Sequence, residues 1–284
     1  MNNAAFPHPF DRAIALEPQG CANADGSLTY RGHTSPAYAN MVGPFGGIIA
    51  AQALQSVMLH PQLLGEPVAF TGNFAAAMRD GEFIVQATPA RTNRSTQHWT
   101  ITIRQADDQG DRATVFTATV LTARRRDTWG AVDVAVPEAP TPQNSAAVPA
   151  SRELPEWFKR YEMRWVRGII PDRWDGAESD STSTLWARDE LGRPLDFPAL
   201  LAMCDVFYPR VWLRRAKRVP AGTVSMTVYF HVNAAGLADS GTGHVLCDAR
   251  GQGFFGGFFD QAATLWSEQR RLLASSHQVV YYRE

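Results

Sequence analysis

A chain of 284 residues with a formal net charge of −1 gives no electrostatic reason to bind nucleic acid or an anionic membrane surface. Hydrophobic residues make up 45% and charged residues 19%, a balance that supports a buried core and excludes global disorder. Three cysteines, Cys21, Cys204 and Cys247, are odd in number and form no Cys-x-x-Cys pair, so they read as reduced thiols in a cytoplasmic protein. The start carries no basic segment followed by an apolar one, and no run approaches the ~20 apolar residues of a membrane span.

Taken in order, the first segment with strand character is 27–33. Gly43-Pro44-Phe45-Gly46-Gly47 then opens the run Ile48 to Met58, which is Ala-rich and apolar nearly all round and predicts a buried helix. Four strands follow at 68–77, 83–91, 96–105 and 113–122, with alternation clearest in Thr100-Ile101-Thr102-Ile103-Arg104. The turn at 107–111 joins the last two as a hairpin. Between 127 and 155 the composition shifts to Pro, Ala, Ser and Asn, without helical or strand period, which predicts an extended linker. It divides the chain into domains 1–126 and 156–284.

The second domain repeats the order. Strands are expected at 162–167 and 182–187, then a helix within Leu195 to Pro209, then strands at 223–232, 243–249, 254–264 and 278–282. The stretch 263–274 shows no clear pattern. Arg250-Gly251-Gln252-Gly253 sits where the first domain has its hairpin turn. One buried helix followed by antiparallel strands, twice over, predicts an α+β fold of two tandem repeats, each a sheet wrapped around a central helix.

Asp205 is the only charge in Phe197-Pro198-Ala199-Leu200-Leu201-Ala202-Met203-Cys204-Asp205-Val206-Phe207-Tyr208-Pro209. Pro198 suits a first helical turn and Pro209 a stop. A carboxylate in so apolar a run is costly unless it has partners or holds a proton. Asp205 is therefore either a general base or an acid bonded to nearby backbone or an Arg. Gly46 and Gly47 open the first helix, where unpaired N–H groups suit a developing oxyanion; close packing against the sheet explains them equally. After the Asp205 segment come Arg210, Arg214, Arg215, Lys217 and Arg218, either a solvated basic loop or a phosphate contact. Arg124-Arg125-Arg126 is a weaker candidate for the same contact.

The chain resembles the acyl-CoA thioesterase II group of the hotdog superfamily from about Thr29 to Thr264. Phe45-Gly46-Gly47 with Gln52-Ala53-Leu54 is similar to its Phe-Gly-Gly…Gln-Ala-Leu signature. Thr223-Val224-Ser225-Met226-Thr227-Val228-Tyr229-Phe230-His231 is similar to its Thr-containing strand ending in aromatic-Phe-His. The resemblance implies a double hotdog fold, a homo-oligomer, and hydrolysis of fatty acyl-CoA by a water that an Asp, a Thr and a Gln activate. By position these are Asp205, Thr223 and Gln261, the last falling eight residues after Gly253. It also implies that Arg214, Arg215, Lys217 and Arg218 are the candidates for holding coenzyme A phosphates. The acyl chain would lie between helix and sheet, near Phe207, Tyr208, Phe254, Phe255 and Phe258. The chain departs from the pattern in a shorter segment before Thr223, in Ser225-Met226-Thr227, and in bulky residues around Gln261, all of which bear on substrate choice.

Other chemistries lack their motifs. No Gly-x-Ser-x-Gly marks a serine hydrolase. No His-Glu-x-x-His or Cys/His cluster marks a metal, and no Gly-rich phosphate loop is present, so no cofactor is expected beyond the coenzyme A of the substrate. Asp239 and His244 have about the spacing of a hotdog hydratase pair but lie in a glycine-rich turn away from the Asp205 segment. The alternative to an enzyme is a hotdog protein that binds an acyl-CoA or other apolar ligand, its access closed by the bulky residues 254–259.

Overall fold

The computed structural model describes residues 8–106, 110, 112–148 and 154–284. The first half forms α1 (Pro9–Ala13), β1 (Glu17–Pro18), β2 (Leu28–His33), α2 (Gly46–Met58), β3 (Glu66–Phe74), β4 (Glu82–Thr92), β5 (Thr96–Ala106) and β6 (Arg112–Ala123). The second forms β7 (Ala146–Ala147), β8 (Tyr161–Arg167), β9 (Ser183–Asp189), α3 (Phe197–Met203), α4 (Arg210–Arg215), β10 (Ala221–Phe230), α5 (Ala234–Ala238), β11 (Val245–Arg250), β12 (Phe254–Phe255), β13 (Phe258–Ser267) and β14 (Leu272–Tyr282). Of the 107–111 turn, only Gly110 lies within the described residues. No described helix is long and apolar enough to cross a membrane.

All strands join one antiparallel sheet in the order β1-β2-β4-β5-β6-β3-β10-β14-β13-β11-β9-β8-β7, with β12 folded back on β13. Within it the halves read β2-β4-β5-β6-β3 and β9-β11-β13-β14-β10. Each follows the chain order strand, helix, four strands, and the two meet where β3 pairs with β10. This is a double hotdog.

The helices take their places for local reasons. In α2, ten of thirteen residues are buried, as an all-round apolar pattern requires. Its one buried amide, Gln52, donates to the backbone oxygens of Ala13 at 2.7 Å and His33 at 3.2 Å. In α3, Asp196 caps the N-terminus, accepting from the Ala199 N–H at 2.9 Å. A single hydrophobic cluster takes in α2, α3 and strands of both halves.

Three expectations change. First, α3 stops at Met203 and does not run to Pro209. Its last turn tightens, with the Asp205 N–H bonded to Ala202 O at 3.1 Å, and Asp205 stands in the turn beyond the helix, off its flank. Second, the linker is partly structured. β7 pairs with β8, Trp186 Nε1 donates to Pro140 O at 2.9 Å, and Arg270 donates to Pro137 O and Ala139 O at 3.1 and 3.0 Å. The second half of the sheet therefore takes residues from before 156. Third, the patternless stretch 263–274 is the end of β13, a tight turn and the start of β14.

Candidate active site

A cavity of about 1110 Å³ lies between the two halves. Its lining includes Phe45, Gly46, Ile49 and Phe74 from the first half and Asp205, Phe207, Tyr208, Thr223, Gln261 and Gln278 from the second. Helix contact creates this meeting. The N-terminus of α2 packs on the C-terminal end of α3, so closely that a Cβ on Gly47 would stand 2.5 Å from Ala202 O. A Cβ on Gly46 would stand 2.7 Å from Asp205 Oδ2. Neither approach is open to a larger residue.

Asp205 borders the cavity on one side and protein on the others. Burial pushes its pKa up to about 7, against the lowering pull of the Gln278 hydrogen bond and the Gly47 backbone N–H. Gln278 Nε2 donates to Asp205 Oδ1 at 2.9 Å and lies 3.3 Å from Cys204 O, which fixes the carboxylate from the sheet side. The neighbouring Cys204 thiol is buried and its pKa is raised well above the usual range by desolvation, so it is inert packing.

Thr223 reaches the cavity through a β-bulge. On β10, Met226, Val228 and Phe230 are buried, so simple alternation would turn Thr223 to the other face. The register slips between Thr223 and Ser225: Met226 lies opposite Gln278, and Thr223 opposite Val280. Gln278 and Val280 are both buried on β14, so the extra residue returns Thr223 to the inner face. Gln261 on β13 is the cross-strand neighbour of Gln278 and is also buried.

The sequence pattern thus brings Asp205, Thr223, Gln261 and Gly46 to one cavity, and Gly47 beside it. It omits Gln278, the side chain bonded to Asp205. The missing signal was the turn. The last hairpin turns at 268–271, with no glycine; Arg270 takes the left-handed conformation there with φ 63°. Gln278 lies eight residues after Arg270, as Gln261 lies eight after Gly253.

The basic residues divide. Arg218 lines the cavity. Arg214 pairs with Glu178 at 2.9 Å and Arg215 with Glu284, Lys217 is exposed, and none of these three lines it. Arg125 donates to Pro67 O and Phe230 O at 2.9 and 2.8 Å, a structural task. Of the five apolar candidates, Phe207 and Tyr208 line the cavity, while Phe255 is 83% and Phe258 48% exposed. They face outward and do not seal it; Phe259 lines it. Asp239 pairs with Arg271 at 3.1 Å and His244 with Glu268 at 3.2 Å, and neither lines the cavity. Among the described residues no cluster of three or more His, Cys, Asp or Glu is placed to hold a metal.

A double hotdog with a half-buried carboxylate where its helices meet defines the class of this molecule. The acyl-CoA thioesterase N-terminal domain matches residues 35–123, and the acyl-CoA thioesterase C-terminal domain matches residues 133–282. The chain belongs to this family. Among solved structures, a conserved protein of unknown function with a hot dog fold from Alicyclobacillus acidocaldarius is 40% identical, covering 98% of this chain and 99% of that one, with a TM-score of 0.88. An acyl-CoA thioesterase II from Mycobacterium marinum is 16% identical, covers 96% and 98%, and has a TM-score of 0.69. The tesB protein of Mycobacterium avium subs paratuberculosis is 18% identical over 97% and 98%, with a TM-score of 0.74. No curated protein matches the chain.

Proposed function

We propose that the protein hydrolyses an acyl-CoA thioester to the free acid and coenzyme A. The observation that carries this is Asp205: a carboxylate with a pKa near 7, bordering a large cavity and facing a helix N-terminus. A base with a pKa close to the working pH is half ionised and still strong enough to take a proton.

Asp205 accepts a proton as water attacks the thioester carbon. Thr223, and the amides of Gln278 and Gln261, orient that water, since each can donate and accept. The developing oxyanion lies near the N-terminus of α2, beside Asp205, where the helix dipole is positive. Collapse of the tetrahedral adduct breaks the C–S bond, and the proton on Asp205 passes to the leaving sulfur. No covalent acyl-enzyme is needed. Arg218 supplies positive charge at the cavity rim for a phosphate of coenzyme A.

The test is thiol release from acyl-CoA esters of graded length. Asp205→Asn keeps the shape and removes the base, and is expected to lose about 10²-fold or more in kcat. For the native protein, kcat/KM should rise with pH through about 7 and level off above it, because only ionised Asp205 accepts a proton. An Asn variant as active as the native protein would remove the mechanism.

A further inference from the structure

Trp174 lines the cavity and is 40% exposed, although a tryptophan gains more than most residues from full burial. Its surroundings hold it at the mouth. Trp212 meets it edge to face at 5.7 Å. The loop that carries it is strapped to α4 and the residue after it: the Gly176 N–H donates to Ala216 O at 3.3 Å and the Ser179 N–H to Arg214 O at 3.1 Å. The Arg214–Glu178 ion pair adds a third tie. The exposed ring is thus presented by a fixed loop.

One cation lines the same cavity and a second lies near the loop that carries Trp174. Arg218 is the only cation among the described lining residues. Lys217 follows the same loop, its Cε 3.8 Å from where a Cβ on Gly176 would stand. Asp205 lines the same cavity as Trp174 and Arg218, so a single ligand can contact all three.

We infer that Trp174 and Arg218 form a subsite for the nucleotide end of coenzyme A, with the adenine stacked on Trp174 and a phosphate held by Arg218. Every base offers a π-face, so an exposed aromatic platform beside a cation suits a nucleotide whatever the acyl group. The assignment rests on the acyl-CoA reading for its ligand. It goes beyond that reading in giving recognition of the adenosine to a residue that takes no part in hydrolysis.

Calorimetric titration of the intact protein with coenzyme A and with pantetheine, which lacks the nucleotide, tests this without turnover. The native protein should bind coenzyme A about tenfold or more tightly than pantetheine, in line with the loss seen when a stacking ring is removed. Trp174→Ala should abolish most of that preference and Trp174→Phe should restore it. Equal binding of the two ligands by the native protein would overturn the subsite, as would an Ala variant that keeps the preference. Adenosine 3′,5′-bisphosphate, titrated into the unmodified protein, gives a check that no variant can spoil: it should compete with coenzyme A, and failure to compete overturns the subsite. Hydrolysis is read separately, by thiol release, so a protein that binds coenzyme A through Trp174 but cleaves no ester would refute the catalytic reading alone.

Discussion

Gln278 and Gln261 face the same cavity from adjacent strands, but of the two only Gln278 is hydrogen-bonded to Asp205. The bond from Gln278 lowers the pKa of Asp205, while burial raises it. Removing the bond shifts the balance toward burial, so Gln278→Ala should move the acid limb of the pH profile to higher pH, by about one unit or less. It should also lower the plateau rate. Gln261→Ala, which removes no bond to Asp205, should leave the midpoint of the limb in place. Rate profiles of the two variants from pH 5 to 9 distinguish the roles, and a shift in the Gln261 variant alone would reverse them.

At the scale of the elements, the site depends on the α2–α3 contact. Ala is the better helix former by about 1 kcal/mol, so propensity alone favours Gly47→Ala. The structure predicts the opposite, because the added Cβ would meet Ala202 O at 2.5 Å and the Phe45 ring at 2.5 Å. The helices would have to part, at a cost of about 1–3 kcal/mol, measurable as a lower urea midpoint. Gly46→Ala places its methyl 2.7 Å from Asp205 Oδ2, so its first effect should be on kcat, through a displaced carboxylate. A Gly47 variant with native or higher stability would mean that this contact is looser than the structure has it.

Across the whole molecule the halves are joined by backbone pairing and shared packing. β3 and β10 pair from Ala69 to Asn73, Thr71 and Thr227 are linked by a hydroxyl bond of 3.1 Å, and Arg125 reaches Phe230 O. The first described residues also cross over: Asp11 pairs with Arg193 at 2.8 Å and His8 with Asp189 at 3.0 Å. One hydrophobic cluster spans both halves, so calorimetry should show one unfolding transition. Thr227→Pro, at the seam, should lower its Tm by several degrees without splitting it. Two separate transitions in the native protein would show that the halves fold independently.

Local pattern was sufficient for much of this. The apolar run of α2, the alternation of β4 to β6, and one carboxylate in an apolar segment follow from side-chain period and burial, which depend on neighbours a few residues apart. The two-repeat order and the candidates Asp205 and Gly46 were legible for the same reason, whereas Thr223 and Gln261 came only from the resemblance to the family. What the sequence could not determine depends on residues far apart in the chain. Arg270 in a glycine-free turn concealed the last hairpin and with it Gln278. The bulge that turns Thr223 inward is visible only in its register with β14. The division of the basic residues depended on where Glu178 and Glu284 lie. The pKa of Asp205 was set last, because desolvation acts on a group only after both helices and the sheet have closed around it.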